Sequence, residues 1–285
     1  MKYLILLAGA FALTATALAR DHGPAFGYST PVNSQREWSY DTGLIGRYGN
    51  RGTAMTSSSA IGYGITPQIM MSAIIPATFG SGALPETRLA GGGEWETNVA
   101  WRFDHRITGV GQRLESTASL GLVVPGPQSG DGILANLHRA PGVSSTIATG
   151  FASRVQYLWL GGGYTRFALA GHDRRPDTLS WSAVYGYRPA KLRRGVDSWD
   201  SRGFLELTGE HTGGVLSNGQ VRPASDTTTL WLGPSVLSIH RDVAIEAGVQ
   251  APLYRDVNAQ LYGREQLRFV VNISYLKYSS HTDSH

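Results

Sequence analysis

The sequence contains no cysteine among its 285 residues. Disulfide frameworks, thiolate zinc sites and cysteine nucleophiles are therefore excluded. Charged residues are scarce, at 16% of the chain, and after Ala19 no stretch approaches the roughly 20 consecutive apolar residues of a transmembrane helix. The rest of the chain is therefore either soluble and secreted, or a membrane protein that crosses the bilayer with β-strands.

Glycine and aromatic residues are abundant instead. The chain has 36 Gly, 13 Tyr and 7 Trp, a composition rich in turn formers and β-formers. The formal net charge of +4 is mild, and the sequence has neither the concentrated basic face nor the stacking platforms of a nucleic-acid-binding protein. We therefore expect an all-β protein without a nucleic-acid partner.

The first residues have the pattern of a secretory signal peptide. Lys2 gives a short positive region, an uncharged apolar run extends to Ala19, and Ala17-Leu18-Ala19 is an A-x-A cleavage site. We predict a cleaved signal peptide over residues 1–19, with an uncleaved membrane anchor as the alternative. No cysteine follows the cleavage site, which excludes lipoprotein anchoring.

Segments of about ten residues that alternate apolar and polar side chains recur along the chain, as in the strands of a transmembrane β-barrel. In one of them, Trp95, Val99 and Trp101 share one face while Glu96 and Arg102 share the other. The soluble alternative is a secreted β-sandwich, whose outward faces should be polar. Apolar and aromatic residues here line one face and scattered charges line the other, which favours the membrane barrel.

This pattern predicts twelve strands. Their expected ranges are 36–47, 53–64, 68–79, 93–104, 113–124, 146–158, 160–171, 178–188, 202–212, 227–239, 242–250 and 265–276. The sixth and seventh strands would meet at Leu160-Gly161, with Tyr157 and Trp159 on the lipid face. Short connections alternate with longer ones, as in bacterial barrels. We therefore predict a twelve-stranded antiparallel transmembrane barrel over residues 20–278, followed by a polar tail at 279–285.

A family resemblance supports this interpretation. The segment YGITPQIMMSAIIPATF (63–79) resembles a hairpin of the outer-membrane barrels in the MetA-pathway of phenol degradation family, also called simply "transporter". The segment EAGVQAPLYRDVN (246–258) resembles the final strands of that family, although Pro67 stands where the family usually has Asp. The resemblance implies an outer-membrane location and uptake of aromatic or other small compounds.

Charged residues on the polar face are predicted to line the lumen, because Arg or Lys facing lipid costs about 2–4 kcal/mol at the bilayer midplane. Arginines facing acids could simply pair and stabilise the wall, or they could form a transverse field that selects a solute. The residues that we predict to set selectivity are Arg102, Arg154 and Arg268, with Glu94, Glu96 and Glu246 as their partners.

The predicted function is passive passage of small solutes through the bacterial outer membrane, with aromatic or carboxylate compounds as the candidate solutes. The expected partners are outer-membrane lipids and lipopolysaccharide, a small-molecule solute and the barrel assembly machinery. We predict no catalytic residue, no metal ligand and no cofactor.

Two alternatives remain open. An outer-membrane lipid-modifying enzyme could use a His-x-Ser pair, but His211 and Ser217 are six residues apart, about 20 Å in an extended strand. A non-conducting barrel for structure or adhesion is the other alternative.

Overall fold

The structure is a computed structural model that describes residues 23–80, 84, 87, 89, 93–124, 140–190 and 198–277. The predicted signal peptide and the predicted C-terminal tail lie outside the described residues. Within those residues, no helix is long and apolar enough to cross a membrane.

The described chain forms a closed antiparallel barrel of twelve strands, as predicted, with one small hairpin outside the wall. The wall strands are β1 (Trp38–Gly49), β2 (Gly52–Gly64), β3 (Ile69–Gly80), β4 (Trp95–Gly109), β5 (Gln112–Val124), β6 (Gly142–Ala152), β7 (Gln156–Phe167), β8 (Thr178–Tyr187), β9 (Asp200–Thr212), β12 (Thr227–His240), β13 (Val243–Val257) and β14 (Glu265–Lys277). The hairpin consists of β10 (Leu216–Ser217) and β11 (Gln220–Val221). Each wall strand pairs with its neighbours in the chain, and β1 closes the barrel by pairing with β14.

Several strand ends differ from the predicted ones. β4 continues to Gly109 and β13 to Val257, beyond the predicted ends at 104 and 250. The turn between β6 and β7 lies at 153–155 rather than at Leu160-Gly161, because the hydroxyl of Ser153 accepts the backbone N–H groups of Val155 and Gln156 at 3.2 and 2.8 Å. Ala152 and Tyr157 pair directly across this turn.

The shifted turn changes which side chains face the lumen. Tyr157 and Trp159 are buried and point inward, whereas Leu158 and Leu160 are exposed on the outside. The predicted lipid-facing position of Tyr157 and Trp159 was therefore wrong. Together with Phe204 on β9, they form an apolar cluster inside the barrel.

The outer surface of the barrel is apolar and carries aromatic residues near both ends. Exposed side chains in the middle of the wall include Val99, Ile147 and Val271. The aromatic residues at the end that holds the start of β1 and the end of β14 are Trp38, Trp101, Phe103, Tyr185, Tyr187 and Tyr275, and those at the other end are Tyr48, Trp95, Tyr164 and Tyr254. An apolar outer surface bounded by a belt of aromatic residues at each end is typical of a transmembrane β-barrel.

The two ends of the barrel differ in their connections. The end that holds the start of β1 and the end of β14 carries the short turns at 65–68, 110–111, 153–155 and 241–242, with one longer connection at 188–199. The opposite end carries connections that are mostly longer, among them 81–94, 125–141 and 213–226. Because periplasmic turns are short and external loops are long in such barrels, the first end is periplasmic.

Candidate functional site

The chain before β1 lies inside the barrel. Residues 23–37, which we call the plug segment, contact strands around the circumference of the wall. Asn33 donates to the hydroxyl of Ser39 on β1 at 2.9 Å, and the backbone carbonyl of Thr30 accepts the hydroxyl of Thr117 on β5 at 2.7 Å. Phe26 packs against Ile45 on β1 and Val270 on β14. The segment therefore crosses the lumen.

Glu206 on β9 holds the far end of the plug segment. Its carboxylate accepts the backbone N–H groups of Ala25, Phe26 and Gly27 at 2.8, 2.8 and 2.7 Å, and also the hydroxyl of Ser235. The side chain is fully buried. Hydrogen bonds to a carboxylate are about twice as strong as neutral ones, so Glu206 is the strongest polar attachment of the segment that the contacts show.

Tyr28 lies in a recess made by small residues. Its hydroxyl is 2.6 Å from that of Ser180, and its backbone N–H donates to Ser182 at 2.8 Å. A Cβ atom added to Gly161 would lie 2.4 Å from the Cβ of Tyr28, and one added to Gly163 would lie 2.4 Å from its hydroxyl. The wall therefore has glycine on β7 where the plug segment comes closest.

A second piece of chain enters from the external side. The hydroxyl of Thr87 and the N–H of Leu89 each donate to Glu210 at 3.1 Å, and Leu89 packs against Tyr28 and Ala148. The middle of the lumen is therefore occupied by the plug segment together with residues of the β3–β4 connection. Alternation along the strands gives no sign of this arrangement, because neither piece belongs to the wall.

The three predicted arginines take different positions. Arg102 is on the lumen face of β4, 3.1 Å from Glu115 and in contact with the backbone carbonyl of Pro67. Arg268 is buried on β14, 2.6 Å from Glu265, with its guanidinium 4.1 Å from the centre of the Trp231 ring. Arg154 lies in the β6–β7 turn, because the turn is displaced from its predicted place.

The three predicted acids are buried, but they do not hold the predicted partners in the contacts that the structure gives. Glu94 pairs with Arg175, which follows β7, and Glu96 accepts the hydroxyl of Ser144 at 2.6 Å. Glu246 lies on the lumen face of β13. Alternation identifies the face on which a charge lies, whereas pairing across the lumen also depends on strand register, so the predicted partners stay a prediction.

A cavity of about 480 Å³ lies at the periplasmic end. Its charged lining includes Arg113, Arg154, Arg188 and Arg202, and its apolar lining includes Tyr157. We call it the vestibule. Of these residues, only Arg154 was among the predicted site residues. The Ser153 turn was the signal that could have placed Tyr157 inside.

His211 and Ser217 are held by different neighbours. Nδ1 of His211, on the outward face of β9, is 2.9 Å from the hydroxyl of Thr228. Ser217 belongs to the small hairpin, where it pairs with Gln220. In the described part of the chain, no group of three or more potential metal ligands comes together.

No protein-family model and no curated protein matches this chain. Membership of the phenol-degradation family therefore stays a prediction. Among solved structures, the chain is similar to the COG4313 outer membrane channel from Pseudomonas putida F1, with a TM-score of 0.62 and 10% identity over 87% of this chain and 97% of that one.

The NanC porin matches with a TM-score of 0.50 and 9% identity over 83% of this chain and 98% of that one. LpxR from Salmonella typhimurium has a TM-score of 0.44 and 8% identity over 83% and 99% of the two chains. The likeness to the COG4313 channel and to NanC, at such identities, shows the fold alone. The closed twelve-stranded barrel and its apolar, aromatic-girdled exterior place this protein in the bacterial outer membrane.

Proposed function

We propose that the protein is a channel for small solutes that its own plug segment closes in the described state. The observation that carries this proposal is that residues 25–33, together with Thr87 and Leu89 of the β3–β4 connection, occupy the middle of the lumen. Barrels of eight strands are filled by their own side chains, whereas barrels of sixteen leave a water channel. A twelve-stranded barrel lies between these sizes, so the residues that occupy its lumen determine whether it conducts.

The wall around the plug segment supports the proposal. The positions that face Tyr28 include Gly161, Gly163, Ser180 and Ser182, all of them small and two of them polar. Such residues bury little apolar surface of their own, and removal of the segment would leave a polar passage lined by small side chains. Inward charges above and below this level, such as Arg268 and Arg102, favour polar or charged solutes over apolar ones.

Conductance in planar bilayers tests this function. We expect small or rare openings for the full protein, and a several-fold larger conductance for a chain that lacks residues 23–35. Deletion of residues 216–221 in the external hairpin is the matched control and should leave conductance unchanged. Both deletion variants must first show the heat-dependent gel mobility of a folded barrel.

Silence of all three folded proteins would overturn the channel proposal. If they were silent and purified protein also deacylated outer-membrane lipid, with the activity lost in His211→Ala, the enzyme alternative would replace it. In either case, we propose that the barrel assembly machinery inserts the protein into the outer membrane, where outer-membrane lipids and lipopolysaccharide surround it.

A further inference from the structure

We propose that the vestibule is a binding site for small carboxylates that carry an apolar, preferably aromatic, body. The proposal names the solute class of the channel proposed above and rests on that function for its biological role. It is carried by three features of the periplasmic end: an excess of guanidinium groups, an arginine without an ion pair and a fixed aromatic wall.

The charges around the vestibule are unbalanced. Glu115 contacts both Arg102 and Arg113, at 3.1 and 3.2 Å. Asp200 likewise contacts both Arg188 and Arg202, at 2.6 and 3.0 Å. The full set of charged groups in these contacts is Arg102, Arg113, Arg188, Arg202, Glu115 and Asp200, with His105 3.7 Å from Glu115. Each carboxylate is thus shared by two guanidinium groups, which leaves a positive excess on each side of the cavity.

Arg154 adds a further positive charge. It is exposed in the β6–β7 turn and lines the vestibule, and it makes no ion pair within the described residues. Asp104 on β4 pairs with Arg106 at 2.8 Å. A guanidinium group binds a carboxylate with two parallel hydrogen bonds, which favours carboxylate over a spherical anion.

Arg202 has an unused donor. Its Nε atom is buried and has no hydrogen-bond acceptor among the residues that the structure describes. A buried donor without a partner destabilises the protein. Binding of an anionic oxygen beside Arg202 would relieve part of that destabilisation, because the guanidinium could turn between Asp200 and the ligand.

The apolar wall of the vestibule is aromatic and closely packed. Tyr157 lines the vestibule, stacks on Trp159 with ring centres 5.4 Å apart and meets the edge of Phe204 at 6.3 Å. The guanidinium of Arg202 lies 5.2 Å from the centre of the Tyr157 ring. Ile107 and Ala152 complete the apolar lining. A ligand whose carboxylate reaches Arg154 and Arg202 would therefore place its body against Tyr157, where a flat ring packs best.

Isothermal titration of the full protein in detergent tests the proposal with four probes. Benzoate has both features, acetate lacks the apolar body, benzyl alcohol lacks the charge, and cyclohexanecarboxylate has an apolar body that is not aromatic. We expect benzoate to bind at least about tenfold more tightly than acetate or benzyl alcohol, and somewhat more tightly than cyclohexanecarboxylate.

Arg154→Gln is the decisive variant, because the exposed turn makes loss of folding a small risk. It should weaken benzoate binding about tenfold. Arg222→Gln, in the external loop at the opposite end of the barrel, should leave it unchanged. Equal binding of benzoate and benzyl alcohol, equal binding of benzoate and acetate, or an Arg154→Gln variant that binds like the original protein would each overturn the site.

The titration tests the binding site and the conductance tests the channel, so failure of one proposal can be distinguished from failure of the other. Benzoate binding that depends on Arg154 in a protein that never conducts would preserve the site and remove the channel. Conductance without such binding would preserve the channel and remove the site.

Discussion

At the scale of single residues, we expect Glu206 to hold the plug segment in place. Its two carboxylate oxygens accept three backbone N–H groups. Glu206→Gln keeps the shape of the side chain but replaces one acceptor oxygen with an NH₂ donor, which would face an N–H of the segment. We expect the open fraction of the channel in bilayer recordings to rise by about ten- to a hundredfold, from the loss of one charge-assisted hydrogen bond.

The control for Glu206 is Asp226→Asn, which makes the same chemical change at an exposed position in the external β9–β12 connection. Its open fraction should match that of the original protein. An unaltered open fraction in folded Glu206→Gln would contradict a latching role for these hydrogen bonds.

The lumen charges show how far alternation alone predicts a site. It placed Glu96, Arg102 and Arg268 on the inner face correctly, because an inward position follows from counting along one strand. It could not predict that Arg268 meets Glu265 three residues earlier on its own strand, close to where the register with β1 shifts. Ion-pair partners follow from strand register and from bulges, which a single sequence leaves undetermined.

At the scale of elements, strand existence was predictable and the β6–β7 turn was not. The residues from 146 to 159 alternate without a glycine or proline after Gly150, so the pattern predicts one continuous strand. The turn is closed by the Ser153 hydroxyl, which accepts the N–H groups of Val155 and Gln156, and by a backbone hydrogen bond from the Ser153 N–H to the Gln156 carbonyl at 2.8 Å. Because the three-residue turn pairs Ala152 with Tyr157, all inward positions of β7 change from even to odd numbers.

The contact between the glycines of β7 and the plug segment can be tested by substitution. Gly161 faces Tyr28, whereas an atom added to the adjacent Gly162 would have the Ser180 carbonyl oxygen as its nearest neighbour, at 3.2 Å. Gly161→Ala should therefore push the plug segment away from the wall, and Gly162→Ala should have much less effect. Because the chain has no cysteine, a single Thr30→Cys in each background reports the change through its labelling rate with a water-soluble maleimide.

We expect labelling of Thr30→Cys to be at least several-fold faster with Gly161→Ala than with Gly162→Ala. Thr30 is almost fully buried, so the reagent reaches it when the segment leaves the lumen. Equal labelling rates in the two folded backgrounds would mean that contact between Gly161 and Tyr28 does not hold the segment.

At the scale of the whole molecule, the wall of the barrel is determined by a repeated local pattern, whereas the position of the plug segment is determined by long-range contacts. The wall repeats one pattern twelve times, and each repeat adds to the evidence for a barrel. The plug segment is a single irregular stretch, and its position comes from contacts with residues such as Glu206, 179 to 181 positions away in the chain. Composition and periodicity therefore predict the barrel, while the state of its lumen depends on long-range contacts that have no periodicity.

Membrane insertion of the whole barrel gives the last prediction. Ile147 is exposed in the middle of the outer face, and Tyr254 is exposed near the external end of β13. Arginine on the lipid face destabilises a barrel by about 2–4 kcal/mol at the midplane and by about 0–1 kcal/mol near the interface. Reversible unfolding in liposomes should therefore show a clear loss of unfolding free energy for Ile147→Arg and a small one for Tyr254→Arg. A soluble protein would accept arginine equally well at both exposed positions, so equal unfolding free energies would contradict the membrane location.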